Sequence, residues 1–197
     1  MTTNEKIAAL RAAAKAAGAD GVMLVTSDPH SSEYLPEHYA SLNWFSGFAG
    51  ENSTLVVTGE GSALWSDGRF YIQADRQLAG SEIESMHAGA AGVPTVEQYL
   101  KEHLKAGQTM LTDGGCMPAA LFERYGAALA EAGAKLVSRD VVSPLWADAR
   151  PALPDTPCFL LSREQTGANT DEKLAAVRAE LKKAGATALA VTQLDCA

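Results

Sequence analysis

An internal repeat limits the folds open to this chain more than any other feature of its sequence. Residues 4–28 align without a gap to residues 171–195, and 11 of the 25 aligned positions are identical. Both copies predict the same two elements, a helix that ends at a glycine and then a short apolar strand. The signals are N-caps at Asn4 and Asp171, glycines at Gly18 and Gly185, and strands at Val22–Thr26 and Ala188–Thr192.

The two copies differ in the length of chain that comes after each of them. About 140 residues separate the first copy from the second, whereas only two residues come after the second copy. A helix and one strand cannot bury their apolar faces alone. We therefore expect one whole domain plus the first helix and strand of a second, similar domain. The alternative is that the C-terminal helix and strand complete a single domain. The predicted apolar faces are Ile7, Leu10 and Ala14 in the first copy and Leu174, Val177 and Leu181 in the second.

Strands and helices alternate between the two copies. The apolar runs Ser53–Val57 and Ala63–Trp65 flank Gly59-Glu60-Gly61, which is typical of a hairpin turn. One hairpin within an alternating pattern predicts an α/β fold, with a mixed β-sheet flanked by helices. The other predicted elements are helices at Arg69–Leu78, Val96–Leu104 and about 118–132, and strands at Ile83–Met86, Thr109–Leu111 and Lys135–Val137.

A cluster of prolines predicts the domain boundary. Pro151, Pro154 and Pro157 fall within seven residues, and such a stretch is typical of a linker. We predict a first domain at residues 1–150, a linker at 151–165 and the start of a second, repeat-related domain at 166–197.

Composition excludes several classes of function. The chain has 16 Lys and Arg against 24 Asp and Glu, a formal net charge of −8, and no basic cluster that would bind nucleic acid. No apolar run reaches the roughly 20 residues that cross a bilayer, and the N-terminus lacks the pattern of a signal peptide. The three cysteines, Cys116, Cys158 and Cys196, have no CxxC spacing. They predict reduced thiols in a cytoplasmic protein.

The motifs of common active sites are missing from the sequence. None of the four histidines (His30, His38, His87 and His103) belongs to an HExxH motif, and GxSxG and the phosphate-binding glycine motifs do not occur. Cys116 follows a turn at Asp113-Gly114-Gly115 and is interpreted as a partly buried thiol rather than a nucleophile. We therefore predict no catalytic residue and no metal ligands in this chain.

Two segments can nevertheless carry a binding function. Residues 27–38 are rich in polar groups and follow a predicted strand, where α/β folds place ligands, although a solvated loop would look the same. In residues 64–74, Asp67 suits a helix N-cap, whereas Arg69 in the predicted first turn opposes the helix dipole. Arg69 therefore has either a binding role or a local surface pair with Asp67. The aromatic segment 42–50 is interpreted as core.

The sequence resembles the N-terminal domain of the three-domain aminopeptidases P, which are Xaa-Pro aminopeptidases among the creatinase/prolidase-like metallopeptidases (family M24). Three motifs in a fixed order carry the resemblance, and two later segments fit the pattern that links the first two domains of that family. The motifs are Asp28–Tyr34, Trp44–Gly50 and Leu64–Ala74, and the later segments are Leu145–Pro151 and Asp171–Leu174.

The resemblance implies a parent enzyme that removes the N-terminal residue from peptides with Pro in second place. Two divalent metal ions of the Mn or Zn type, held by two Asp, one His and two Glu of a pita-bread catalytic domain, would perform that hydrolysis. This chain lacks the catalytic domain, so we expect it to be inactive alone and to help shape the substrate cleft. The implied partners are the remaining domains, the peptide and a possible second copy of the chain. Arg69 is the implied substrate contact, and His30, Glu33, Tyr34 and Asp67 are weaker candidates.

Two other functions remain open at this point. The chain could be a free-standing module of the same fold that binds a small ligand or a protein and has no peptidase activity. It could also be a small hydrolase that uses His30, Asp67 and Arg69 on its own.

Overall fold

The computed structural model of the protein describes residues 1–192, which divide into two units, residues 1–153 and a second unit that starts at Pro154. The first unit contains one six-stranded sheet in the order β4-β3-β2-β1-β5-β6. The strands are β1 (Gly21–Val25), β2 (Thr54–Thr58), β3 (Ser62–Ser66), β4 (Ile83–His87), β5 (Thr109–Thr112) and β6 (Lys135–Ser138). Its helices are α1 (Thr3–Ala16), α2 (Ser41–Ser46), α3 (Tyr71–Leu78), α4 (Val96–His103), α5 (Ala119–Glu131) and α6 (Ser143–Trp146), with short 3-10 turns at Glu37–Tyr39 and Ala147–Ala149.

The sheet is mixed, as the sequence predicts. Strand β2 pairs antiparallel with both β1 and β3, whereas the β1–β5, β3–β4 and β5–β6 pairs are parallel. The predicted hairpin closes through the Thr58 amide, which donates to the Gly61 carbonyl at 2.8 Å. Every predicted strand of this unit forms within two residues of its predicted ends.

Helices cover both faces of the sheet because the central strands are apolar on both sides. In β1, Val22 and Leu24 join the apolar cluster beneath α1, α2 and α3, whereas Met23 and Val25 join the opposite cluster beneath α4 and α5. Burial of each such side chain contributes about 1.5–3 kcal/mol. Within the segment interpreted as core, Phe45 and Phe48 are fully buried, as predicted.

Helix α1 begins earlier than the sequence predicts. Its N-cap is Thr2 rather than Asn4, because Thr2 and Glu5 form a reciprocal capping box. The Asn4 side chain instead accepts a hydrogen bond from the Glu82 amide at 2.9 Å. The predicted apolar face is confirmed, since Ile7, Leu10 and Ala14 are all buried.

The second unit contains two helices, α7 (Arg163–Thr166) and α8 (Thr170–Lys183). The N-cap of α8 is Asn169 rather than Asp171, because Asn169 forms a capping box with Glu172. The predicted apolar face of α8 is not buried within the described residues, and Leu174 remains 42% exposed. None of the helices in residues 1–192 is both long and apolar enough to cross a membrane.

The predicted strand Ala188–Thr192 is wrong. Residues 188–192 are not part of a strand, and Leu189 and Val191 are exposed. A strand needs a neighbour to satisfy its backbone groups, and the second unit offers none in its described residues. Asp195 of the repeat and Cys196 lie outside the described residues. The boundaries assigned to the linker and the second domain remain predictions.

Candidate functional site

A polar cavity opens at the carboxyl end of β1. The chain leaves β1 towards α2 on one face of the sheet, and it leaves the neighbouring parallel strand β5 towards α5 on the opposite face. Such a reversal opens a crevice at the strand ends, the usual ligand site of an α/β sheet. Here the crevice is a cavity of about 610 Å³. It is lined by Thr26 and Ser27, residues 31–35, Ala40, Asn43, residues 49–52, Arg69, Pro118 and Leu121.

The loop after β1 is held in place by Asp28. This carboxylate is buried, and its Oδ1 accepts the amides of His30 at 2.9 Å and Ser32 at 3.0 Å. Burial alone would raise the pKa of Asp28, but the hydrogen bonds from Ser32 and His30 lower it below its ordinary value. The polar loop is therefore an ordered wall of the cavity, built around one ionised carboxylate.

Arg69 does not lie in a helix, which corrects the sequence prediction. Helix α3 begins at Tyr71 after an N-cap at Phe70 that has no side-chain cap. Asp67 is therefore not an N-cap either, because its Oδ1 accepts the Arg69 amide two residues ahead at 2.9 Å and closes a local turn. Since Arg69 precedes the helix, its charge does not oppose the dipole of a first helical turn.

The Arg69 guanidinium is paired with the same carboxylate. Its Nη2 donates to Asp67 Oδ2 at 2.7 Å, and its Nε lies 3.1 Å from Asp67 Oδ1. The hydrogen bond from Arg69 lowers the pKa of Asp67, and in return Asp67 raises the pKa of Arg69. The Arg69 side chain is 61% exposed, so the pair contributes little stability. Of the two alternatives for Arg69, the local surface pair with Asp67 is present in the structure. Contact between Arg69 and a peptide remains a prediction.

Three of the five candidate residues lie together and two do not. Glu33, Tyr34 and Arg69 line the cavity, and the Tyr34 side chain is 84% exposed at its edge. Asp67 lies outside the lining and is paired with the lining residue Arg69. His30 is exposed and does not line the cavity. Their roles in substrate binding remain predictions.

Sequence reasoning missed two polar residues of the cavity. Asn43 sits in the segment interpreted as core, yet it lines the cavity, and its Nδ2 donates to the Gly50 carbonyl at 3.3 Å. Its Oδ1 is buried and accepts no hydrogen bond from the described residues. Glu51 lies in the turn after that segment and lines the same cavity. A polar Asn within an apolar run was the available signal for Asn43, whereas Glu51 falls in the turn Gly50–Thr54, where the sequence departs from the usual family pattern.

Neither a thiol nucleophile nor a metal centre is found in the described residues. Burial, and then the nearby Asp113 carboxylate, raise the pKa of the half-buried Cys116 thiol to about 12, so it is protonated at neutral pH. No group of three or more His, Cys, Asp or Glu side chains in residues 1–192 is placed to hold a metal ion.

A mixed sheet covered on both faces by helices, with a polar crevice at the end of β1, defines an α/β domain of the creatinase-like class. The chain belongs to the creatinase/prolidase N-terminal domain family: one family model of that description matches residues 6–144, and a second of the same description matches residues 149–196. Both matches confirm the resemblance carried by the sequence motifs.

Similar proteins extend this assignment. A probable Xaa-Pro aminopeptidase P of Neurospora crassa is 33% identical over 198 residues, which cover 99% of this chain and 29% of that protein. The crystal structure of an X-prolyl aminopeptidase from Caenorhabditis elegans, described as a cytosolic enzyme with a di-nuclear active site, superposes with a TM-score of 0.81 and 31% identity. That match covers 94% of this chain and 32% of the nematode protein.

A more distant structure shares the fold alone. The N-terminal domain of the cytoplasmic peptidase PepQ from Mycobacterium tuberculosis matches with a TM-score of 0.55 and 23% identity, over 72% of this chain and 98% of that domain. The chain thus spans about 30% of the length of the aminopeptidases that it resembles, and it corresponds to their creatinase-like N-terminal part.

Proposed function

We propose that this chain is the non-catalytic N-terminal part of a cytoplasmic Xaa-Pro aminopeptidase, and that its cavity helps to bind the peptide substrate. The observation that carries the proposal is that nearly the whole chain matches the aminopeptidases while accounting for less than a third of their length. The parent enzyme would remove the N-terminal residue from peptides with Pro in second place.

The residues of this chain do not fit the metal centre that such an enzyme needs. A two-metal hydrolase requires several carboxylate and imidazole ligands around adjacent ions, and no such group occurs in residues 1–192. We therefore assign the divalent metal ions, of the Mn or Zn type, to a catalytic domain outside this chain, and we derive no hydrolytic step from its own side chains.

We therefore assign this chain a role in binding the peptide substrate. The cavity combines hydrogen-bond donors and acceptors with an exposed aromatic ring at Tyr34, and this mixture suits the polar backbone of a peptide. A guanidinium is a planar multiple donor, so Arg69 is suited to bind a peptide oxygen. The remaining domains of the parent and a second copy of the chain would complete the cleft around it.

An activity assay tests the inactivity of the chain. Purified protein with added manganese should release no N-terminal residue from an Xaa-Pro peptide, because residues 1–192 contain no group of side chains placed to hold a metal ion. Metal-dependent turnover that copurifies with the 197-residue chain would refute the proposal. It would favour the small hydrolase, and Arg69→Ala should then abolish that activity.

A binding experiment tests the cavity. Titration of an Xaa-Pro peptide should shift the amide NMR signals of Glu33, Tyr34 and Arg69, and Arg69→Ala should weaken binding several-fold. Arg76→Ala is the matched control, because Arg76 is an exposed arginine on α3 that does not line the cavity. Equal loss in both variants would show that general charge, rather than the cavity, binds the peptide.

The cavity also favours a second candidate, a free-standing module that binds a small ligand. The length of the native reading frame separates the two candidates. A frame that continues into a metallopeptidase domain supports the aminopeptidase, whereas a frame that stops near Ala197 supports the module.

A further inference from the structure

We propose that Asp67 and Glu51 make the cavity select against ligands that carry a carboxylate, so that Arg69 receives an uncharged main-chain carbonyl. Neither acidic residue would need to touch the ligand, and Asp67 would be a positioning residue that acts through Arg69. The inference rests on the proposed peptide-binding function of the same cavity.

Asp67 already occupies one edge of the Arg69 guanidinium. The carboxylate takes Nε and Nη2, with distances of 3.1 Å and 2.7 Å for the two main contacts. No hydrogen bond to Nη1 is found among the described residues. A ligand carboxylate could not use the Nε–Nη2 edge unless Asp67 moved away, and at the Nη1–Nη2 end it would bring a second negative charge to a guanidinium that Asp67 already neutralises. A carbonyl oxygen needs only one donor and brings no net charge.

The charge around Arg69 is predominantly negative. Among the described residues, the charged side chains that line the cavity are Glu33, Glu51 and Arg69, and Asp67 lies directly behind Arg69. One positive charge therefore faces three negative charges. Glu51 is close enough to help raise the pKa of Arg69. Repulsion between like charges in a binding site lowers the affinity for the wrong partner, so we expect this cavity to bind an anionic ligand more weakly than a neutral one.

A pair of ligands that differ only at the C-terminus, one charged and one neutral without an added N–H donor, tests the inference. Ala-Pro as the free acid and Ala-Pro as the C-terminal dimethylamide would be titrated into the 197-residue chain, with binding followed by NMR shifts of the cavity amides. We expect the amide to bind at least about threefold more tightly than the acid.

Two variants assign the selectivity to the acidic residues. Asp67→Asn keeps the shape of the side chain but removes its charge, and it should abolish or reverse the preference for the amide. Glu51→Gln should reduce the preference by a smaller factor, because it acts at longer range. Asp75→Asn is the control, since Asp75 is an acidic residue on α3 that binds Ser85 and His87 away from the cavity. It should leave the preference unchanged.

The outcomes separate this inference from the proposed function. If wild-type protein prefers the free acid, or if Asp67→Asn and Glu51→Gln both keep the wild-type ratio, the inference is overturned while peptide binding stands. If neither peptide shifts the cavity signals at millimolar concentration, the peptide-binding role fails together with the inference. Loss of the preference in Asp75→Asn as well would also overturn it, because the effect would then follow net charge alone.

Discussion

Helices α1 and α8 carry nearly the same sequence pattern, yet only α1 is part of a packed core. Ile7 aligns with Leu174 in the repeat, and Leu10 aligns with Val177. Both residues of α1 are fully buried, whereas Leu174 is 42% exposed and Val177 is 39% exposed. The difference lies in what surrounds each helix, because α1 packs against a six-stranded sheet, whereas the described residues of the second unit give α8 no strand.

This comparison separates two sources of helix stability. Both helices have a capping box at the N-terminus, and a glycine with positive φ comes after each C-cap, so their local signals are equivalent. Within the described residues, only α1 is also stabilised by burial of its apolar face. A sequence pattern therefore predicts that a helix forms, but the rest of the fold decides whether its apolar face is covered.

The largest difference between the units should come from truncating the aligned apolar positions. Ile7→Ala should lower the free energy of unfolding by about 2–5 kcal/mol, because it leaves a cavity in the core beneath α1. Leu174→Ala should change the same quantity by less than about 0.5 kcal/mol, because its side chain is partly exposed within the described residues. Urea unfolding of both variants measures the two losses.

Comparable losses of unfolding free energy in Ile7→Ala and Leu174→Ala would contradict the difference between α1 and α8. They would mean that the apolar face of α8 is covered in solution, either by residues 193–197 or by a second copy of the chain. Measurement at two protein concentrations distinguishes these cases, since only a contact between copies depends on concentration.

A smaller difference should result from removing the caps. Thr2→Ala removes the hydroxyl that accepts the Glu5 amide at 3.3 Å, and Asn169→Ala removes the carbonyl that accepts the Glu172 amide at 2.9 Å. Each cap contributes about 1 kcal/mol to its helix. Thr2→Ala should therefore destabilise the first unit in urea by about 1 kcal/mol, because α1 is part of its core.

Asn169→Ala should act on α8 alone. It should reduce the helical circular dichroism signal and speed amide exchange in residues 170–183, while the urea midpoint of the first unit stays the same. A shift of that midpoint by Asn169→Ala would contradict the view that the two units unfold independently. Thr166→Ala is the control, because Thr166 ends α7 and does not cap α8.

The sequence predicts the sheet and most of the helices because local patterns determine them. Alternating apolar strands, the glycine hairpin turn and the Thr95 cap all act over a few residues. Errors arise where a neighbour in space overrides the local signal. Asn4 is a good cap by residue type, but it binds the Glu82 amide instead. Ala188–Thr192 is a good strand by composition, but no strand lies beside it among the described residues.

The candidate site is only partly predictable, for the same reason. Arg69, Glu33 and Tyr34 are identified through family motifs, and they do line one cavity. The pairing of Arg69 with Asp67 is one of the two alternatives that the sequence leaves open for Arg69. The negative charge around this pair also comes from Glu51, which lies in the turn before β2. Asn43 is hidden within an apolar run. Chain folding brings these residues to one cavity, and their local sequence patterns do not show that they meet there.

The smallest expected difference between the two units is in the pH dependence of their stability at acid pH. The pKa of Asp28 in the first unit lies below its ordinary value of 3.8, so ionised Asp28 stabilises the folded state above that pH, and this stability is lost as the pH falls through the lowered pKa. The net effect is small because burial opposes the hydrogen bonds from Ser32 and His30. Glu172 in the second unit also has a lowered pKa, caused first by its hydrogen bond from Arg163, but its side chain is exposed and caps only α8.

Asp28→Asn keeps an oxygen that can accept both amides but no longer titrates. The urea midpoint of wild-type protein should therefore fall more steeply than that of Asp28→Asn between about pH 5 and about pH 3. Glu172→Gln should leave this slope unchanged and alter only the pH dependence of the α8 helical signal. If Glu172→Gln flattened the midpoint curve as much as Asp28→Asn, the two units would unfold as one, and the contrast between a packed α1 and an independent α8 would be wrong.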